Sequence, residues 1–174
     1  MRALFLDRDG VINIEKEGSY IFNPSELHFY EGALEAIARA RNYFDLILVV
    51  TNQRGIGKGL MTTEDLTDIH DTIQQSLQAH KGLIDGFYHA PALHSDDLMR
   101  KPNTGMALKA KEDFKHIDFT QSVMIGNNYS DMKFGKSMGM KTIFLHTTMP
   151  AQELPNEWID EQYDSLASWI KSLG

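Results

Sequence analysis

Cysteine is absent from this chain of 174 residues. The absence excludes disulfide bonds, a thiol nucleophile and any zinc site built on cysteine. The composition therefore suits a reducing compartment, and we expect no step of the activity to depend on thiol oxidation.

Long apolar runs are also missing. The chain passes from Met1 and Arg2 directly into a short apolar run, without the apolar region of a signal peptide, and no later run approaches membrane-spanning length. The formal net charge of -7 argues against nucleic-acid binding through the overall field. We expect a cytoplasmic protein, either a monomer or a small homo-oligomer, that binds neither membranes nor nucleic acids.

Short apolar runs alternate with helical patterns along the chain. A length of 174 residues with 42% hydrophobic residues predicts one domain, residues 1–174, with a sizeable core. The alternation predicts an α/β fold with a doubly wound parallel sheet. The predicted strands are 3–6, 46–51, 86–89, 122–125 and 141–145. The predicted helices are 32–43, 62–80, 105–114, 130–138 and 165–173, with 147–162 as an irregular connection.

Two carboxylates one residue apart, Asp7 and Asp9, end the first apolar run, and Gly10 lets the backbone turn away. Carboxylates this close are costly without a cation or a proton between them, which favours a divalent metal or acid/base chemistry. Taken alone, the pattern is equally typical of a solvated turn.

Polar residues at the other strand ends favour the chemical interpretation, because ligands of open parallel sheets bind beyond the carboxyl ends of the strands. Together they supply what hydrolysis of a phosphate monoester needs. Asp7 is the predicted nucleophile, which forms an aspartyl-phosphate, and Asp9 the general acid and base. The Thr51 hydroxyl would hold the phosphoryl oxygens, and Lys101 would offset their charge.

A magnesium ion is the predicted cofactor, since a hard cation would bridge carboxylate and phosphate oxygens. Its predicted ligands are Asp7, Asp9, Asn127 and Asp131. A small phosphorylated molecule is the predicted substrate.

The order of these groups resembles the haloacid dehalogenase-like phosphatases, and the resemblance covers the chain from Leu4 to about Leu145. More narrowly, it is similar to the branch of D,D-heptose 1,7-bisphosphate and histidinol-phosphate phosphatases. The four motifs that carry the resemblance are Asp7-Arg8-Asp9-Gly10, Thr51-Asn52-Gln53, Arg100-Lys101-Pro102 and Gly126-Asn127-Asn128-Tyr129-Ser130-Asp131.

The resemblance implies the same roles for Asp7, Asp9, Thr51 and Lys101, and makes Asp131 the second acid of the last motif. It also implies that Arg100 contacts the distal part of the substrate. The remaining predicted substrate-binding residues are Asn52, Gln53 and Arg54.

The spacing of the motifs leaves room for crossover helices but not for an inserted cap domain. About 40 residues separate Asp9 from Thr51, and about 50 separate Thr51 from Lys101. Without a cap, specificity would come from short loops. The loops expected to provide it are 13–24, 53–61 and 90–99.

This chain departs from the family pattern at two places. Asn127 stands where the family usually has aspartate; its amide oxygen can still ligate magnesium but brings no charge, so we expect weaker metal binding. The cysteine-containing zinc loop of many relatives is missing, and the polar residues there, including His89 and His94, are expected to be solvated rather than to bind zinc.

The residues thus predict a magnesium-dependent phosphomonoesterase acting through an aspartyl-phosphate, and the resemblance implies D-glycero-D-manno-heptose 1,7-bisphosphate as its substrate. Histidinol phosphate is the alternative substrate. A protein that binds phosphate but has lost turnover through Asn127 is the alternative of another class. A polynucleotide end as substrate is disfavoured by the acidic charge.

Overall fold

The computed structural model describes residues 1–174 and contains a parallel sheet of six strands. The strands are β1 (Ala3–Leu6), β2 (Leu46–Asn52), β3 (Gly86–Ala90), β4 (Val123–Gly126), β5 (Lys141–Leu145) and β6 (Glu161–Tyr163). Their order across the sheet is β3-β2-β1-β4-β5-β6. The direction of winding therefore reverses between β1 and β4, where open α/β sheets bind their ligands.

Helices cover both faces of the sheet. They are α1 (Ala33–Ala40), α2 (Arg54–Gly57), α3 (Thr63–Gln78), α4 (Gly105–Asp113), α5 (Tyr129–Ser137) and α6 (Leu166–Ser172). Strand β1 is apolar throughout because its side chains alternate between two cores. Leu4 and Leu6 pack in the core that contains α1, α3 and α6, whereas Phe5 packs in the core that contains α4.

The local sequence at Thr62 determines where helix α3 begins. Thr62 accepts a hydrogen bond from the Asp65 amide at 3.1 Å, and the Asp65 carboxylate accepts one from the Thr62 amide at 2.7 Å. This capping box fixes where the helix begins. Its buried face carries Leu66, Ile69, Ile73 and Leu77, and one residue that is not aliphatic, His70.

The predicted doubly wound parallel fold is confirmed, and no cap domain is evident. Two local predictions were wrong. Residues 147–162 were expected to be irregular, but Glu161 begins the short edge strand β6, whose half-buried residues contain no apolar run. The loop expected after Gln53 instead begins with the one-turn helix α2. None of the helices has both the length and the hydrophobicity of a transmembrane segment.

Candidate active site

The polar residues of the four motifs meet where the winding of the sheet reverses. Asp7 leaves the end of β1 beside β4, and its amide donates to the Ile125 carbonyl at 3.0 Å. Asn127 directly follows β4 on the other side of the switch point. Two strand ends thereby bring together residues that are far apart in the sequence.

Lys101 places a buried positive charge in the site. The residue is only 2% exposed. Its Nζ lies 3.0 Å from Asp7 Oδ1 and 2.7 Å from Asp131 Oδ1, and donates to the Val50 carbonyl at 2.7 Å. Burial alone would lower the pKa of Lys101, but the two carboxylates outweigh burial and raise it. The side chain is therefore a fixed cation with all three donors used.

Asp7 is buried among charges of both signs. Its Oδ1 also accepts from the Arg8 amide at 2.9 Å. Burial raises the pKa of Asp7 to about 7, with further repulsion from Asp131 and partial compensation by Lys101. An added cation would relieve this cost, so the arrangement favours cation binding next to Asp7.

The start of α5 orients Asp131. Its Oδ2 accepts from the amides of Asn127 and Asn128, each at 3.1 Å. Gly126 makes this possible, because a Cβ at that position would lie 2.2 Å from the Cβ of Asp131. The Asp131 carboxylate is therefore held between backbone amides and Lys101.

Two oxygens, from the Asp7 carboxylate and the Asp9 carbonyl, converge on the side-chain amide of Asn127. The terminal amide atom of Asn127 that faces the site lies 3.2 Å from the Asp9 carbonyl oxygen and 3.3 Å from Asp7 Oδ2. Gly10 permits the approach, since its φ is +85° and a Cβ there would lie 2.1 Å from the Asn127 side chain. A carboxylate, a carbonyl and an amide oxygen fit Mg²⁺, which usually takes few protein ligands and keeps several waters.

The Asn127 amide can present either of its ends to this point. Its other end lies 2.7 Å from the hydroxyl of Thr148, which can donate or accept. With its NH₂ inward, the amide donates to the Asp7 and Asp9 oxygens; with its oxygen inward, it can ligate a cation. The predicted ligands Asp9 and Asp131 sit differently, because Asp9 offers its carbonyl oxygen here and the Asp131 carboxylate faces Lys101.

The Asp9 side chain points into a separate network. Arg8 Nη2 lies 2.8 Å and 3.0 Å from its two oxygens, while Asn13 and Gln53 each donate an amide hydrogen bond at 3.0 Å. Burial would raise the pKa of Asp9, but Arg8 and these hydrogen bonds lower it below its usual value. Sequence reasoning assigned no role to Arg8 or Asn13, although both lie in the first motif.

The second motif supports the site in two ways. Buried Thr51 accepts from Gln53 Nε2 at 2.8 Å, so Gln53 joins the hydroxyl to Asp9. Asn52 accepts from the Lys101 amide at 3.0 Å and donates to the Lys101 carbonyl at 3.2 Å. Asn52 therefore fixes the loop that carries the buried ammonium.

A small polar cavity of about 160 Å³ lies beside these residues, but the Thr51 hydroxyl predicted to hold phosphoryl oxygens is fully buried and does not line it. One wall comes from the predicted specificity loop 13–24 and includes the exposed residue Glu15, whose pKa is raised by partial desolvation and by Asp9. The lining residues are Asp7, Asp9, Glu15, Lys16, Ser19, Tyr20, Ile21, Asn52, Gln53, Lys101, Asn128, Ser130 and Asp131.

Two predicted substrate-binding residues do not line this cavity. Arg54 is exposed at the start of α2, and Arg100 donates to the Leu93 carbonyl instead. In the loop before Arg100, no group of three or more His, Cys, Asp or Glu side chains is arranged to hold a metal ion, and none occurs elsewhere in the protein.

Comparisons with known proteins agree with this geometry. A family profile described as HAD-hydrolase-like matches residues 98–168. The chain is 39% identical over 146 residues to D-glycero-alpha-D-manno-heptose-1,7-bisphosphate 7-phosphatase of Campylobacter jejuni, covering 83% of this chain and 81% of that protein. It is 33% identical over 175 residues to the corresponding beta-heptose phosphatase of Helicobacter pylori, covering 98% and 97%.

A solved structure shares the whole fold. D,D-heptose 1,7-bisphosphate phosphatase from B. bronchiseptica, complexed with magnesium and phosphate, superposes with a TM-score of 0.88 at 27% identity, covering 99% of this chain and 98% of that one. Sequence and fold therefore agree over nearly the full length, and the chain belongs to the haloacid dehalogenase-like hydrolases, in the family that contains these phosphatases.

Proposed function

We propose that this protein is a magnesium-dependent phosphatase that removes the 7-phosphate of D-glycero-D-manno-heptose 1,7-bisphosphate. The observation that carries the proposal is the buried Lys101 ammonium between Asp7 and Asp131, beside the converging oxygens of Asp7 and of the Asp9 carbonyl. The names of the relatives support the sugar bisphosphate, and they include both the alpha and the beta anomer.

Asp7 is the proposed nucleophile. Its carboxylate attacks phosphorus, a P–O bond to Asp7 forms, and the bond from phosphorus to the sugar oxygen breaks. Lys101 keeps the attacking carboxylate oriented and offsets negative charge on the transferred group. Asp7, the Asp9 carbonyl and Asn127 would hold Mg²⁺, which neutralises phosphoryl oxygens when bound.

Asp9 is the proposed general acid and base. Arg8, Asn13 and Gln53 hold its carboxylate in the ionised form. An arriving phosphate dianion would raise the pKa of Asp9, so that it carries the proton given to the sugar oxygen. Once ionised again, Asp9 takes a proton from the water that attacks the phosphorylated Asp7 and releases phosphate.

The test is release of inorganic phosphate from heptose 1,7-bisphosphate, histidinol phosphate and an aryl phosphate, with and without Mg²⁺. We expect magnesium-dependent release, fastest from the heptose bisphosphate and lost in Asp7→Asn. A preference for histidinol phosphate would replace the substrate but keep the chemistry. No release from any substrate, restored by Asn127→Asp, would favour a phosphate-binding protein.

A further inference from the structure

Buried polar side-chain atoms without a protein partner are few in this protein, and two of them belong to residues that contact Asp9. Four such side-chain atoms occur in the protein, and the fourth, Trp169 Nε1, belongs to the core around α6. The other three are Arg8 Nη1, Asn13 Oδ1 and His70 Nε2. A buried polar atom without a hydrogen-bond partner is destabilising, so each of these atoms needs an explanation.

Two of these atoms belong to the residues that hold the Asp9 carboxylate. Asp9 Oδ1 accepts from Arg8 Nη2 at 2.8 Å and from Asn13 Nδ2 at 3.0 Å, which places the guanidinium and the amide side by side. Each residue uses one end on Asp9 and leaves its other end unpaired.

His70 on α3 is the third residue, and it lies near enough to the Arg8 guanidinium to be affected by its charge. Burial and the nearby Arg8 charge lower the pKa of His70 to about 3, so the ring is neutral. The ring is fixed by stacking on Phe87, with centroids 4.4 Å apart and planes tilted by 19°. The other buried residues of α3 are all aliphatic, so packing alone does not require a histidine here.

The three unpaired atoms are chemically complementary. Arg8 Nη1 carries only donors, whereas Asn13 Oδ1 and an unprotonated His70 Nε2 only accept. They form no direct hydrogen bonds with one another. One water that accepts from Arg8 and donates to the two acceptors would satisfy them all, and buried waters typically make about three hydrogen bonds.

We propose that Arg8, Asn13 and His70 bind one buried water, and that His70 acts through it as a positioning residue for Asp9. The role of Asp9 rests on the proposed function. The water would hold the guanidinium and the Asn13 amide in the orientation that aims the Asp9 carboxylate, without His70 touching the substrate.

A high-resolution crystal structure of the full chain tests the water directly and needs no substrate. We expect one water within hydrogen-bond distance of all three atoms in the wild type, and no water there in His70→Phe. A wild-type site without water density, or a ring whose Nε2 contacts only carbon, would overturn the proposal.

Kinetics of variants test the positioning role. His70→Phe should lower kcat roughly 10- to 100-fold with little change in KM, because a misplaced general acid loses rate rather than binding. His70→Gln, which keeps an acceptor near the position of Nε2, should recover most of kcat. Ile73→Val, one turn along the buried face of α3, controls for packing and should retain wild-type kcat.

Equal losses in the Phe and Gln variants, or wild-type kcat in folded His70→Phe, would overturn the positioning role. If the wild type hydrolyses no phosphate ester, the proposed function fails. The water density then still decides whether this site exists.

Discussion

At the scale of single residues, Lys101 determines whether two buried carboxylates are tolerated. Asp7 and Asp131 both lie within 3.0 Å of its Nζ and neither is well exposed. Removing one member of a buried charge cluster leaves uncompensated charge, which costs more than the cluster contributes when complete.

Lys101→Met should therefore lower the free energy of unfolding by about 3–5 kcal/mol, measured by urea denaturation without Mg²⁺. Lys109→Met is the matched control, because Lys109 forms only exposed ion pairs on α4. We expect the control to unfold like the wild type. Equal stability of both variants would show that Lys101 does not compensate the buried carboxylates.

Asn127→Asp should bind Mg²⁺ about 10-fold more tightly, because ligand charge tunes cation affinity. The same change should lower the melting temperature without Mg²⁺, since it adds a carboxylate close to Asp7 Oδ2. Calorimetric titration and thermal unfolding measure the two effects. Unchanged affinity would contradict the placement of residue 127 at the cation.

His70 should make stability depend on pH. Its pKa is about 3 in the folded protein and 6.5 when unfolded, so the unfolded chain binds the extra proton as pH falls below 6.5. This residue should therefore remove about 2 kcal/mol of stability between pH 8 and pH 5. Urea unfolding at both pH values should show that His70→Gln loses less stability between pH 8 and pH 5 than the wild type. An identical loss in the two proteins would show that His70 is not the group responsible.

At the scale of elements, the helices and the buried strands could be predicted from sequence. A helix with one buried face shows apolar residues at helical spacing, and a buried strand shows a short apolar run. Strand β6 lacked that signal, since Glu161, Gln162 and Tyr163 are half-buried at the sheet edge. Helix α2 is a single turn, too short for a periodic pattern. Both elements depend on tertiary contacts rather than on local sequence.

Thr62→Ala should cost about 1 kcal/mol of stability, because it removes the cap of α3. The phosphatase kcat should not change, since the cap is no part of the candidate site. Thr67→Ala is the control, because the Thr67 hydroxyl only bonds back to the Thr63 carbonyl within the helix. Chemical denaturation measures the stability of both variants. Equal stability of Thr62→Ala and Thr67→Ala would contradict the capping role of Thr62.

At the scale of the whole molecule, the sheet topology explains why the site could be located from sequence. Strand ends and motif order indicated where Asp7, Lys101 and Asn127 would meet. The sequence could not indicate that His70 lies near Arg8 and Asp9, because that depends on how α3 packs in the folded protein. Nor could it indicate that Arg54 and Arg100 lie outside the cavity, which depends on loop conformation.

The fold also leaves the candidate active site open. With no cap domain evident, the wall opposite the strand ends comes from the loop that carries Glu15, Tyr20 and Ile21. A substrate would be recognised by this short wall and by the phosphoryl site beneath it.

In the proposed mechanism Asp7 carries the phosphoryl group during turnover. The direct measurement is the mass of the chain after rapid acid quench of a reaction with heptose 1,7-bisphosphate and Mg²⁺, followed by peptide mapping. We expect one added phosphoryl group on the peptide that contains Asp7, and none in Asp7→Asn. Phosphate release at an unchanged rate in Asp7→Asn, or an adduct on another residue, would contradict it.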